Sequence, residues 1–254
     1  MRNRRRRLTR GLLGLATALA LAGCSSSPAL SDPEAILDAA IDSVRELSSV
    51  HLEAELVGSI PLDLGVGEGD NPIDLSGASL AADLDLEDGS TRATIGLPML
   101  LGLEAEVIVV DDASYTRISF LGDRYQKSPV EDAEGPAGLL SDPQQALDDL
   151  ERAIDELEAP PERLPDERCG SEDCYRVRVS FAEGEGGAPA SAEPGLPTRG
   201  TLDVWVRKSD RLPAKLELRG PDDPDALSVS VELSEFNKPL DISAPPPDQV
   251  DEGG

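Results

Sequence analysis

The stretch Ala78-Ser79-Leu80-Ala81-Ala82-Asp83-Leu84-Asp85-Leu86-Glu87-Asp88-Gly89 decides the fold class. Ala78, Leu80, Ala82, Leu84 and Leu86 alternate with Ser79, Ala81, Asp83, Asp85 and Glu87, the two-residue period of a strand with one wet face. Asp88-Gly89 is a hairpin signal, and Thr91 to Leu97 reads as the returning strand. Leu103, Ala105, Val107 and Val109 then alternate with Glu104, Glu106, Ile108 and Val110, Asp111-Asp112 turns, and Tyr115 to Phe120 forms another strand with a short continuation near Tyr125. The middle of the chain is thus an antiparallel meander.

Outward from this core, Ser31-Asp32-Pro33-Glu34 opens a helix: Ser31 or Asp32 can cap, Pro33 suits the first turn and Glu34 complements the dipole. Ile36, Leu37, Ala40, Ile41, Val44 and Leu47 recur three and four apart and mark its buried face, ending near Ser48, where Ser49 to Leu56 switches to alternation. Gly58 to Ser76 reads as a loop, with Ile60, Leu62, Leu64 and Val66 able to extend an edge strand. Ser141-Asp142-Pro143 repeats the helix opening, the stripe Ala146, Leu147, Leu150, Ile154 and Leu157 follows, and Pro160-Pro161 ends it. Further strands are expected at Tyr175–Phe181, Thr201–Arg207, Ala214–Leu218 and Leu227–Leu233, interrupted by a Gly/Ala/Pro-rich insertion at 182–197. The order helix, meander, helix, meander predicts one α+β domain with a large antiparallel sheet and helices on one face. Nothing alternates as strand, helix, strand, which argues against a doubly wound nucleotide-binding fold.

The N-terminus has the layout of a secretory signal. Arg2, Arg4, Arg5, Arg6, Arg7 and Arg10 precede an uncharged Leu/Ala run from Gly11 to Ala22. Twelve helical residues span about 18 Å, short of the roughly 30 Å hydrocarbon core, so a removed signal is expected and not a permanent span. The run ends at Leu21-Ala22-Gly23-Cys24. This box resembles the end of a bacterial lipoprotein signal, and that resemblance implies cleavage before Cys24, which makes 1–23 the signal peptide, 24–31 a tether, 32–244 the domain and 245–254 a Pro-rich acidic tail expected to be disordered.

Losing six arginines takes the net charge from −27 to −33. Such a surface is repelled by nucleic acid and by anionic headgroups, so no nucleic-acid partner is expected. Aromatic residues are only 3 %, leaving little material for base or sugar stacking. With Cys24 set aside, Cys169 and Cys174 form an even pair in an exported chain and read as a disulfide-closed loop; the only histidine, His51, is far away, and Glu172 and Asp173 disfavour a thiolate. Paired carboxylates such as Glu104/Glu106 and Asp83/Asp85 read as solvated strand faces. The acidic loop Gly67-Glu68-Gly69-Asp70-Asn71 lacks the ligand spacing of an EF-hand. No nucleophile, zinc or phosphate-loop motif is present, so neither catalytic residues nor a cofactor are expected.

The run Ile95-Gly96-Leu97-Pro98-Met99-Leu100-Leu101-Gly102-Leu103 is almost wholly apolar. It reads either as a core strand or as the pliable lip of an apolar cavity. The residues expected to line such a cavity are Ile36, Ile41, Leu84, Leu86, Ile95, Leu97, Met99, Leu101, Leu103, Val107, Leu150 and Ile154.

Three stretches, together with Cys24, resemble the actinobacterial lipoprotein family typified by LppX and LprG, related in fold to the carrier LolA. They are Ala35-Ile36-Leu37 through Ser48-Ser49-Val50-His51-Leu52; Leu202-Asp203-Val204-Trp205-Val206 with Leu212-Pro213-Ala214-Lys215-Leu216-Glu217-Leu218; and Phe236-Asn237-Lys238-Pro239-Leu240-Asp241-Ile242 leading to Ala244-Pro245. The resemblance implies lipidation of Cys24 and attachment to the outer face of the cell membrane. It implies a U-shaped antiparallel half-barrel with helices on its concave side, enclosing an apolar cavity for long-chain lipids or glycolipids. It also implies a non-enzymatic role in lipid transport to the envelope, with a membrane transporter as a candidate partner. The rival reading is a regulatory or scaffolding lipoprotein that uses the same fold to bind another envelope protein.

Overall fold

The helix predicted from the Ser-Asp-Pro opening is α1 (Pro33–Arg45). Asp32 is its cap: in extended conformation it accepts from the Ala35 N–H at 3.4 Å, with Pro33 in the first turn and Arg45 in the last. Ile36, Leu37, Ala40 and Ile41 are buried, as the three-and-four spacing requires. The computed structural model describes residues 29–61, 72–130, 148, 151–152, 154, 159–181, 199–221 and 226–252. Cys24, Leu150 and the 182–197 insertion lie outside them.

The strands are β1 (Ser49–Val57), β2 (Ser59–Pro61), β3 (Pro72–Asp74), β4 (Ala78–Asp85), β5 (Thr91–Leu97), β6 (Leu103–Val110), β7 (Ala113–Ile118), β8 (Tyr125–Pro129), β9 (Glu162–Cys169), β10 (Glu172–Phe181), β11 (Gly200–Arg207), β12 (Pro213–Arg219), β13 (Ser228–Ser234) and β14 (Val250–Glu252). Twelve of them form one open sheet in the order β14-β8-β7-β6-β5-β4-β1-β13-β12-β11-β10-β9, while β2 and β3 pair separately. The first long strand is therefore central: β1 pairs with β4 on one side and with β13 on the other, both antiparallel. The architecture is α+β, an open half-barrel with α1 on its inner face.

Local signals place the turns. Gly89 has φ +76 after β4, and Asp111 and Asp112 take φ +51 and +58, a left-handed pair that aspartate tolerates better than most residues. Four expectations need correction. Residues 162–169, where no strand is expected, form the edge strand β9. Phe120, read as the end of a strand, lies beyond β7 and is exposed. The tail expected to be disordered has a 3-10 turn at Pro247–Gln249 and β14, which pairs in parallel with β8. The loop expected over 58–76 contains the β2–β3 pair. Of the second helix, Asp148, Glu151, Arg152 and Ile154 are described and helical, and Arg45 of α1 bonds Asp148 at 2.8 Å and Glu151 at 2.5 Å.

The core sits between α1 and the β10–β11 arm, where Ile36, Leu37 and Ala40 pack with Tyr175, Val177, Val179, Val204 and Val206. A second cluster, with Leu47, Val50, Ala82, Leu84, Ala93 and Leu212, fills the base beyond the end of α1. Cys169 and Cys174 are disulfide-bonded across the β9–β10 hairpin.

The inner face as candidate binding site

Cross-strand register sorts every strand residue onto one of two faces. One row runs Val177, Val204, Leu216, Val231, Ala54, Leu80, Ile95, Ala105 and Ile118 across β10, β11, β12, β13, β1, β4, β5, β6 and β7. A parallel row runs Val179, Leu202, Leu218, Val229, Leu56 and Ala78. Every member of both rows is apolar. The alternate row on the other face runs Arg176, Trp205, Lys215, Glu232, Glu53, Ala81, Thr94, Glu106 and Arg117. The sheet thus has one oily side and one charged side.

Coverage of the oily side is uneven. α1 lies over β10 and β11, where Val177, Val179 and Val204 are buried. Leu216 packs at the edge of that cluster, and farther from α1 Leu218, Val229, Val231, Leu56, Leu80 and Ile95 are only half-buried. Side chains of this kind on adjacent strands form a continuous apolar floor that can accept flexible chains without any specific polar contact.

Of the residues expected to line a cavity, Ile36 and Leu84 are core residues of the two clusters, Leu86 packs on the second, Ile154 packs on the first and Ile41 is buried on α1. Ile95, Leu97, Leu103 and Val107 share the inner face, Val107 buried beside Val109. Met99 and Leu101 do not join them: they lie in the turn between β5 and β6, Met99 half-buried and Leu101 in solvent. Leu56, Leu80, Leu216, Leu218, Val229 and Val231 belong to the floor and were missed, since alternation shows that they share a face but not which arm shares it with them. Four surface grooves walled by described residues contain none of the expected lining set. One of these, about 500 Å³, lies on the charged side among Glu53, Glu167, Trp205, Lys215 and Glu232.

The charged side is knit by Asp203, which is fully buried and accepts from Arg178 at 2.6 and 2.8 Å, from Arg176 at 2.7 Å and from Arg219 at 3.4 Å. Burial pushes its carboxyl up, but the hydrogen bonds from Arg178 and Arg176 outweigh that and leave its pKa below the usual carboxylate range. Arg176 also stacks on Trp205 and bonds Glu167, whose other oxygen takes the Trp205 indole N–H at 3.0 Å. This network links β9, β10, β11 and β12 through their outward side chains. His51 Nδ1 meets Asp83 at 2.6 Å and Nε2 lies 3.8 Å from Glu53, and Ser234 lies in register with His51, yet no hydrogen bond joins His51 and Ser234 among the described residues. The arrangement is a histidine–carboxylate hydrogen bond on an open sheet, with no serine or cysteine bonded to the imidazole among the described residues. No group of metal-ligating side chains is found among the described residues.

No protein-family model matches the chain, and no curated protein matches its sequence. Among solved structures, LprF from Mycobacterium bovis is similar with a TM-score of 0.55 at 17 % identity, covering 84 % of this chain and 96 % of that one. The Mycobacterium tuberculosis lipoprotein LppX gives 0.54 at 14 % identity, covering 84 % of this chain and all of that one. The fold is that of LprF and LppX. A LolA-superfamily protein from Nitrosomonas europaea scores 0.30, too distant to argue from. In the LprF/LppX fold as this chain builds it, the curved sheet turns its two apolar rows inward, and the connection from β8 to β9 carries the chain from one arm to the other.

Proposed function

We propose that this protein is a non-catalytic lipoprotein that lays the acyl chains of a long-chain lipid or glycolipid on its inner face and takes part in moving that lipid to the cell envelope. Residues 1–23 act as signal peptide, and acylated Cys24 anchors the domain to the outer face of the cell membrane through the tether to residue 31. The observation that carries the reading is the pair of apolar rows whose larger members beyond α1, Leu56, Leu80, Ile95, Leu218, Val229 and Val231, are only half-buried. Completing that burial with acyl chains gains on the order of 25 cal/mol per Å², and this drives binding without polar recognition. Two acyl chains on Cys24 suffice for a stable anchor, where one is marginal.

The test is to purify the full chain from a bacterial host that acylates lipoproteins, extract it, and identify bound lipid and the mass of the Cys24 peptide. Stoichiometric lipid is expected in the wild-type protein, and its loss in Leu80→Glu with Val231→Glu. A lipid-free wild-type protein overturns the reading.

A further inference from the structure

Two turns at one end of the sheet carry large apolar side chains that nothing in the fold requires to be apolar. The turn between β5 and β6 presents Leu100, 48 % exposed, and Leu101, 99 % exposed; the turn between β7 and β8 presents Phe120 and Leu121, 81 % and 66 % exposed. They stand side by side, since the Ser119 N–H donates to the Glu104 carbonyl at 2.9 Å and the Glu104 N–H donates to Ser119 Oγ at 3.0 Å. Leu101 is doubly unfavourable as a leucine: its φ of +60 is a glycine conformation, and its side chain is wholly in water. Directly below these tips, Leu97, Leu103 and Ile118 sit half-buried on the inner face, with Leu97 opposite Leu103 and Ala105 opposite Ile118. Leu121 and Ile118 wall one groove with Thr116, Gln126 and Arg124, so the exposed patch adjoins the end of the inner face.

We propose that these two turns form a lip that dips into a zwitterionic lipid surface and passes acyl chains between it and the inner face. This rests on the lipid-binding reading above and adds the place of transfer. Three observations choose a lipid surface as the occupant. The apolar groups are on hairpin tips, which suit insertion between headgroups better than they suit a flat protein contact. The four side chains expose on the order of 500 Å², below the roughly 800 Å² a side of a standard protein interface, which disfavours a second copy. The neighbouring charges include Glu104 and Asp123 on a chain of net charge −27, and Arg124 is already bonded to Asp251, so anionic headgroups are repelled.

The test places tryptophan at Leu101→Trp, at Phe120→Trp and, as a control, at Glu87→Trp in the turn after β4 at the opposite end of the sheet. The full chain is bound to phosphatidylcholine vesicles whose acyl chains are brominated. Loss of emission is expected at positions 101 and 120 and not at 87; equal emission at all three overturns the lip. In a second measurement, Leu101→Asp with Phe120→Asp is expected to slow lipid transfer to such vesicles by about tenfold per side chain while bound lipid stays unchanged. Unchanged transfer overturns the proposal, as does a wild-type dimer in sedimentation that the double variant abolishes. Tip quenching in a protein that carries no lipid leaves the lip standing and removes the lipid-binding reading; bound lipid with unquenched tips does the reverse.

Discussion

The Leu30 backbone N–H donates to the Tyr175 hydroxyl at 2.9 Å, and Arg163 donates to the Leu30 carbonyl at 2.8 Å, so the chain leaves the domain at a fixed point beside β9 and β10. From Leu30 back to Cys24 is six residues, at most about 21 Å. Removing the Tyr175 hydroxyl with Tyr175→Phe is expected to cost about 0.5–1.5 kcal/mol and to speed hydrogen exchange at the Leu30 amide, while exchange in the β4–β7 arm is unchanged. Exchange at Leu30 equal to wild type refutes the pinning.

Asp203 neutralises a cluster of arginines on the charged side. Asp203→Ala leaves Arg176, Arg178 and Arg219 facing one another around a void, and a loss of about 3–5 kcal/mol in urea unfolding is expected. Because the folded-state pKa of Asp203 is below the unfolded value of about 3.9, its contribution is present above that pH and disappears as acid titrates the folded carboxylate. Wild-type stability is therefore expected to fall with pH below about 4, with a shallower fall in the variant.

Ile36 is fully buried between α1 and the β10–β11 arm. Ile36→Ala is expected to cost about 2–5 kcal/mol, read from the shift of the denaturant midpoint. Because the β4–β7 arm rests on other clusters, its amides should keep their relative order of exchange.

Leu101→Gly is expected to behave in the opposite way. Glycine relieves roughly 1 kcal/mol of left-handed strain and costs at most about 1 kcal/mol in unfolded-chain entropy, so stability should change by less than about 1 kcal/mol. A loss of the size seen for a core leucine would show that Leu101 packs against something.

Much of the sheet was legible because a half-buried strand writes its period into the chain. Ala78 to Asp85 is a strand where the alternation places it, and both Asp-containing turns fall where the residues tolerate positive φ. Ile108 and Val110 broke the alternation of β6 for a physical reason: the outer face there is covered by Ile242 and Val250 of the C-terminal segment, so both faces are dry. β9 escaped notice because an edge strand bearing Pro165 and five charged residues has no buried face to advertise. β14 was invisible because its three residues are held by Arg124, which bonds Asp251 and the carbonyls of Asp248 and Val250 from far upstream. The apolar run from Ile95 to Leu103 showed that oily residues gather there, but composition does not reveal that the chain reverses at 98–102 and turns Leu101 outward.

The central place of β1 has a consequence for assembly. On a chain emerging from its N-terminus, β4 to β8 find β1 soon after synthesis, yet the opposite edge of β1 waits unpaired until residues 228–234 arrive, some 170 positions later. The seam that joins the two wings therefore closes late, before only the short β14 on β8, and a nascent chain stalled ahead of it offers a raw, templating border in the middle of what will become the floor.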